Sequence, residues 1–262
     1  MQTDIRWASL ELLPAAPYSI NSLSPVSSLG LALARQTGVH AIGGDQRQDF
    51  DAWPGDFAIS AAGLPMFSES AHGGEYLLMH IRQPDLLALL ANSGSAAERQ
   101  IFHGDKQAVG LAWQLRSLLL QAEPDHLLIE EKAGLFLQRG LTLARHTANP
   151  ASRYAGDRAL LAHLFEHIED ELDSQLKLED LAAMANMSLL RFLRSFSHAT
   201  GSTPHAYITE RRLQKARRLL RVSKLSIAAI AADCGFAHQS HLGSAFRSRL
   251  GLSPLQYRQL PV

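Results

Sequence analysis

The sequence predicts an α+β protein in two parts: an amino-terminal β-domain followed by amphipathic helices, and an all-α carboxy-terminal domain with two helix-turn-helix motifs. Three observations predict it. Residues 1 to about 82 carry short apolar runs broken by Gly, Pro, Asn and Asp, with strand-length segments such as Phe57–Ser60 and Tyr76–Ile81. From Gln83 onward the apolar residues return at helical spacing. The charge also divides: residues 1–150 hold 10 Lys/Arg against 15 Asp/Glu and residues 151–262 hold 15 against 10, although the whole chain is neutral.

A chain of 262 residues, 46% hydrophobic, is comfortable for two cores. The single cysteine, Cys234, excludes an intrachain disulfide and a cysteine-rich zinc site and fits a reducing cytoplasm. The start, MQTDIRWASLELLP, lacks the basic end and unbroken apolar core of a signal peptide, and no run approaches the roughly eighteen apolar residues of a membrane span. A soluble, cytoplasmic protein without a membrane partner is expected. The expected boundaries are an amino-terminal domain over 1–148, a linker over 149–158 and a carboxy-terminal domain over 159–262. The linker is read from Asn149-Pro150-Ala151-Ser152, where the residue before proline is pushed out of helical conformation.

Within the first part, Pro54-Gly55-Asp56 between two extended runs is turn chemistry, and His72-Gly73-Gly74-Glu75 reads as a hairpin turn. His40, His72, His80 and His103 are scattered without an H-x-H pair, so no metal site and no cofactor are expected. Trp53, Phe57, Met66, Phe67 and Tyr76 either form core or line a small-molecule pocket with Arg47 or Glu69 as polar anchor. Two amphipathic helices follow, one through Ala108, Leu111, Ala112, Leu115, Leu118 and Leu119, the other through Leu127, Leu128, Glu131, Leu135, Gln138 and Leu141 after Pro124. No heptad is sustained, so packing onto the sheet and dimerisation both stay open.

The second part opens with a helix from about Ala159 to Asp173, whose apolar face is Leu160, Leu161, Leu164, Phe165, Ile168 and Leu172. The first helix-turn-helix spans about 178–200, with a turn at Asn186-Met187, a recognition helix capped by Ser188, and Phe192 and Phe196 inward. Ser202 or Thr203 starts a long joining helix with Pro204 in its first turn, and several arginines between 211 and 221 are expected to reach solvent or phosphate. The second helix-turn-helix spans about 226–249: Ser226 caps its first helix, Gly235 turns, and Leu242, Ala245, Phe246 and Leu250 form the inner face of the last helix. From Asn186 onward twelve Lys/Arg face only Glu210 and Asp233, the charge of a polyanion reader.

The stretches IAADCGF and QSHLGSAFRSRLGLSPLQYR, with LEDLAAMANMSLLRFLRSFSHATGSTPHAYITERRLQKARRLL upstream, resemble the AraC/XylS family of bacterial transcription regulators over roughly the last hundred residues. The turn at Pro54-Gly55-Asp56 more faintly resembles that of cupin-like jelly rolls, which commonly form the amino-terminal domains of such regulators. The resemblance implies a sequence-specific, double-stranded promoter DNA-binding regulator and not an enzyme. It implies modulation by a small-molecule effector or by homodimerisation through the amino-terminal domain, and RNA polymerase as partner where the outcome is activation. The alternative is a ligand-independent regulator whose amino-terminal domain serves only dimerisation or partner recruitment. By matching motif positions, the base-reading places fall on Leu190, Leu193 and Arg194 in the first recognition helix and on Gln239, Ser240, Gly243 and Ser244 in the second. Arg191, Ser197, Lys224 and Arg247 are the phosphate candidates. Leu190 and Leu193 offer only apolar contacts, and Gly243 offers none, which departs from the usual pattern. A methyl-acceptor repair function would need a reactive cysteine outside the helix-turn-helix, whereas Cys234 sits in its turn.

Overall fold

The computed structural model describes residues 1–83, 99–121, 123–145 and 155–259. They divide into two compact units, one of Met1–Leu119, Pro124–Arg153 and His198–Gly201, the other of Leu120–Glu123, Tyr154–Ser197 and Ser202–Val262. Of the linker expected over 149–158, residues 149–154 lie outside the described residues, and 155–158 are already helical, so the helix expected from about Ala159 starts at Ala155.

The described residues of the first unit form ten strands: β1 (Gln2–Asp4), β2 (Ala8–Leu13), β3 (Tyr18–Leu23), β4 (Ser28–Ala32), β5 (Gln36–Ile42), β6 (Gln48–Ala52), β7 (Phe57–Ser60), β8 (Pro65–Ser70), β9 (Tyr76–Ile81) and β10 (Gln100–Phe102). They form a six-stranded sheet in the order β1-β2-β9-β4-β7-β10 and a four-stranded sheet in the order β3-β8-β5-β6, with every pairing antiparallel. Successive strands from β2 to β9 change sheet at nearly every connection, so the two sheets share their topology.

The larger sheet has two unlike faces, because side chains alternate across a strand. One face carries the cross-strand row Leu10–Met79–Leu29–Ile59 and beside it Leu12–Leu77–Leu31–Phe57. These side chains are buried, and each contributes about 1.5–3 kcal/mol on burial. Helices α1 (Lys106–Leu119) and α2 (His126–Arg145) follow the strands. Phe136 of α2 meets the Phe57 ring edge-on at 4.9 Å, and a Cβ on Gly140 would stand 2.5 Å from Leu29 Cδ2, so α2 packs directly on this face. The opposite face carries Ser9, His80, Ser28 and Ser60 in one row and Glu11, Leu78, Gly30 and Ala58 in the next.

Two connections between the sheets explain the sequence punctuation. Pro54-Gly55-Asp56 joins β6 to β7: Gly55 takes φ 87°, and the Asp56 carboxylate accepts from Trp53 N at 2.9 Å. His72-Gly73-Gly74-Glu75 joins β8 of the small sheet to β9 of the large one, so it is a crossover and not the expected hairpin turn. Its Glu75 carboxylate accepts from Arg116 Nε of α1 at 2.7 Å with both side chains almost wholly buried. The pair and the apolar sheet face thus hold α1 against the strands.

The helices are also tied to one another. Asp105 caps α1, accepting from Ala108 N at 2.8 Å, and receives Arg139 Nε of α2 at 2.9 Å. Burial opposes the Asp105 charge, yet Arg139 and the backbone donors prevail and hold its carboxyl below the usual aspartate range. A depressed folded pKa means that stability is present above the unfolded value and is lost as pH falls through the folded one. Asp105→Asn should therefore lower the urea midpoint of this unit at neutral pH, and that difference should shrink progressively as the pH falls below the ordinary aspartate range. Trp7, Trp53 and Trp113 are the three tryptophans of the chain and all belong to this unit, so tryptophan fluorescence reads it alone.

The second unit is helical: α3 (Ala155–Asp170), α4 (Leu178–Met184), α5 (Leu189–Thr200), α6 (Pro204–Val222), α7 (Ile227–Asp233), α8 (Gln239–Leu250) and α9 (Pro254–Gln259). Phe165 of α3, Phe192 and Phe196 of α5 and Tyr207 of α6 form one aromatic cluster with ring centroids 5.2 to 5.6 Å apart. Leu160, expected on the apolar face of α3, is 46% exposed, whereas Leu161, Leu164, Phe165 and Ile168 are buried. No helix among the described residues is long and apolar enough to cross a membrane.

Candidate nucleic-acid interface

Both helix-turn-helix pairs turn by the same device. After α4, Asn186 takes φ 54°, and the amides of Asn186 and Met187 donate to Ala183 O and Ala182 O, each at 2.9 Å. After α7, Gly235 takes φ 72°, and the amides of Gly235 and Phe236 donate to Ala232 O and Ala231 O, each at 2.9 Å. A left-handed residue closed by these two reverse bonds is a Schellman termination. Gly235 is the more constrained, because a Cβ there would stand 2.2 Å from Leu172 O and 2.9 Å from the Arg212 guanidinium. Ser188, Thr203 and Ser226 then cap α5, α6 and α7, accepting from Arg191 N at 3.4 Å, Ala206 N at 3.2 Å and Ala229 N at 3.1 Å.

Of the arginines on the joining helix α6, Arg218 and Arg221 are exposed as expected, whereas Arg211, Arg212 and Arg217 are half-buried and engaged inside the unit. Arg211 donates through Nη2 to Glu169 of α3 at 2.8 Å and also meets Gln214. Burial works against its charge, but Tyr207, Glu169 and Glu210 outweigh it and raise its pKa. Arg212 donates to the carbonyls of Leu172 at 2.8 Å and Ser174 at 2.7 Å. Arg217 and Arg221 lie over the Tyr257 ring of α9 at 5.7 and 5.0 Å. Phe246 of α8 meets the same ring at 5.4 Å. Arginine on α6 therefore braces α3 and α9, and through Tyr257 the last recognition helix.

The exposed faces of α5 and α8 carry most of the side chains singled out for DNA. On α5, Leu190 is 59% exposed, Arg191 and Arg194 are exposed, and Leu193 and Ser197 are half-buried. On α8, Gln239, Ser240, Ser244 and Arg247 are exposed, as is Lys224 ahead of α7. Gly243 lies flush with the helix. A methyl group built on it would meet only Arg247, 3.7 Å from Nη2, so packing does not demand glycine there. Its bare backbone lets the Arg247 guanidinium lie along the outward face. Cys234 is fully buried in the second turn, and burial pushes its thiol up to about 11, so it is not a nucleophile at neutral pH.

The candidate effector residues of the first unit fall into three places. Trp53 and Phe57 are core, Phe57 packing under α2. Phe67 and Glu69 share the outward face of β8: the Arg47 guanidinium lies 4.2 Å from the Phe67 centroid, and Glu69 accepts from Ser19 Oγ at 3.0 Å. Met66 and Tyr76 alone of that set face the space between the sheets, where the Tyr76 ring lies over Gly30. Sequence reasoning missed Arg99, Tyr18, Ser68, His40 and His80 there. The alternation of β8 was a usable signal: Met66 and Ser68 point one way, Phe67 and Glu69 the other. Among the described residues no group of three His, Cys, Asp or Glu comes together as a metal site.

A helix-turn-helix domain model matches residues 181–260. The chain is 34% identical over 99 residues to the HTH-type transcriptional regulator MtrA of Neisseria gonorrhoeae, covering 38% of this chain and 33% of that protein. It is 37% identical over 125 residues to the HTH-type transcriptional activator RhaS of Escherichia coli, covering 48% of this chain and 42% of that one. The match thus spans less than half the length of either relative. Among solved structures, the DNA-binding domain of AdpA, a global transcriptional factor in complex with a target DNA, is 39% identical. It covers 37% of this chain and 88% of that one with a TM-score of 0.37. Gly235→Ala should cost at least about 2 kcal/mol in the helical melting followed by circular dichroism, through left-handed strain and the clash with Leu172 O. Asn186→Gly should stay within about 0.5 kcal/mol, and equal losses at the two turns would contradict this account of their geometry. Both curated relatives are transcription regulators, and residues 181–260, with two capped helix-turn-helix pairs braced on one joining helix, belong to the AraC-type helix-turn-helix family.

Proposed function

We propose that the chain is a sequence-specific transcription regulator of the AraC/XylS type, with the carboxy-terminal unit reading DNA and the amino-terminal unit modulating it. One observation carries the reading: a single unit presents two outward recognition-helix faces, α5 and α8, rich in arginine and hydrogen-bonding side chains and nearly free of acid. Two such helices suit successive major-groove faces, roughly 34 Å apart, so that one chain reads an extended site. Arg194 is the base-reading arginine of α5, with Leu190 and Leu193 beside it for thymine methyls, and Gln239 is its counterpart on α8. Arg191, Arg247 and Lys224 grip phosphate.

The amino-terminal unit fits a cupin-like jelly roll. Its strand orders, β2-β9-β4-β7 and β3-β8-β5-β6, are those of eight strands wound as two Greek keys. The polar space between its sheets supports a small-molecule effector over a purely dimerising role, since a core needing no ligand would be apolar on both inner faces. Homodimerisation and contact with RNA polymerase complete the proposed scheme, in the cytoplasm.

A genomic DNA-fragment selection with the purified full-length protein tests the reading. One enriched motif of two half-sites about a helical turn apart is expected, and failure to enrich any sequence sinks it. Arg194→Ala should cost about 1–3 kcal/mol of discrimination at one position of that motif. Arg247→Ala should weaken cognate and unrelated DNA alike and flatten the salt dependence by about one unit of slope. Equal losses on both DNAs for Arg194→Ala would remove its base-reading role.

A further inference from the structure

The space between the two sheets of the first unit has a specific chemistry. By alternation from Gln100, which pairs with Ile59 on the apolar face, Arg99 falls on the polar face of the larger sheet. Its side chain crosses towards the smaller sheet, where Nη1 lies 3.7 Å from Met66 Sδ of β8. Arg99 Nε is buried without a hydrogen-bond partner, and no carboxylate of the described residues pairs with this guanidinium. Around it are polar groups from both sheets. Arg99 acts electrostatically on His40 of β5, where it adds to burial in lowering the imidazole pKa. It also acts on Tyr76 of β9, whose pKa burial raises against the pull of the arginine. Tyr18 Oη and Ser68 Oγ are hydrogen-bonded to each other at 3.1 Å on the facing strands. Further along the same polar face, His80 Nδ1 is a second buried group with no partner.

A guanidinium N–H buried without an acceptor, as at Arg99 Nε, costs free energy unless something arrives to accept from it. A planar fork beside tyrosine hydroxyls and imidazoles matches a carboxylate, which takes two parallel N–H bonds and can accept others at the side. The neighbours that are not polar set the rest of the ligand. Leu78, Met66, Ile42 and Phe50 line this interior and stay partly accessible, whereas the side chains of the opposite face of the larger sheet are sealed under α2. We infer that the interior binds a small organic anion, a monocarboxylate with an apolar body, its carboxylate held by Arg99 with Tyr76 and His40 alongside. This rests on the reading of the amino-terminal unit as a sensing module and names the class of molecule it senses.

The test uses the full-length protein and tryptophan fluorescence. Melting is followed with benzoate, phenylacetate, hexanoate and decanoate, with the corresponding amides, and with inorganic phosphate. At least one carboxylate is expected to raise the melting temperature while its amide does not. A shift with phosphate alone as large as that of any carboxylate would mean a bare anion site and would overturn the apolar-body assignment. Arg99→Gln should weaken the effective carboxylate by about tenfold or more, and Arg99→Lys should recover part of that loss. Lys132→Gln, on α2 and paired with Glu131 rather than with any group between the sheets, should leave it unchanged, which separates the site from a general charge effect. The own melting temperature of each variant without ligand shows whether it folds, and Arg99→Lys keeps the question open to measurement should Arg99→Gln not fold. Equal shifts with acids and amides, undiminished binding by Arg99→Gln, or no shift with any carboxylate would overturn the inference. If the fragment selection still recovers a motif in that event, only the anion assignment falls. If it recovers none, the regulator reading falls separately.

Discussion

Two residues in left-handed conformation, Asn186 and Gly235, hold the carboxy-terminal unit to its shape. Each ends a short helix with the same pair of reverse hydrogen bonds and starts the chain toward a recognition helix. The angle between the helices of each motif, and hence which side chains face outward on α5 and α8, depends on that turn. The second turn is bound further, because Gly235 lies against the Leu172 carbonyl that Arg212 also holds. A turn, a loop and the joining helix are thereby locked at one point, and the last recognition helix inherits its position from it.

Charge in this unit is used in two distinct ways. Arginines on the joining helix work mechanically, through carbonyls, a carboxylate and the ring of Tyr257. Those on the recognition helices, Arg191, Arg194 and Arg247, stay outward. A planar guanidinium suits both tasks, since it makes forked bonds inside and reaches phosphate or guanine outside. Counting basic residues along the sequence therefore overstates the footprint available to DNA.

The amino-terminal unit rests on a different asymmetry. One sheet has an aliphatic and aromatic face that two helices cover and a serine- and histidine-bearing face that looks toward the other sheet. The covered face supplies the stability, with the Glu75–Arg116 pair and the Asp105–Arg139 link fixing the helices on it. That frees the inner face from the demands of a close-packed core, so polar groups and an arginine whose Nε has no acceptor persist between the sheets.

The helix-turn-helix pairs, their caps at Ser188, Thr203 and Ser226, and the inward Phe192 and Phe196 were legible in the sequence. Each is set by residues a few positions apart: a hydroxyl before a helix, a glycine after one, an apolar repeat of 3.6. The polarity of the two halves was equally open to reading from composition. The destiny of Arg211, Arg212, Arg217 and Arg221 was not, because these partners lie 36 to 42 residues away in the chain, as with Arg211–Glu169 and Arg221–Tyr257. Nor could the sequence tell Arg47 and Glu69, which face outward, from Arg99, which faces inward, since that follows from strand register. A shift of one residue would exchange the two sets. Local chemistry determined by itself which elements form and which nucleic-acid-reading family they resemble. Only the tertiary structure decided which charges are brace, which are surface and which lie unmet between two sheets, because burial and pairing are properties of residues brought together from far apart.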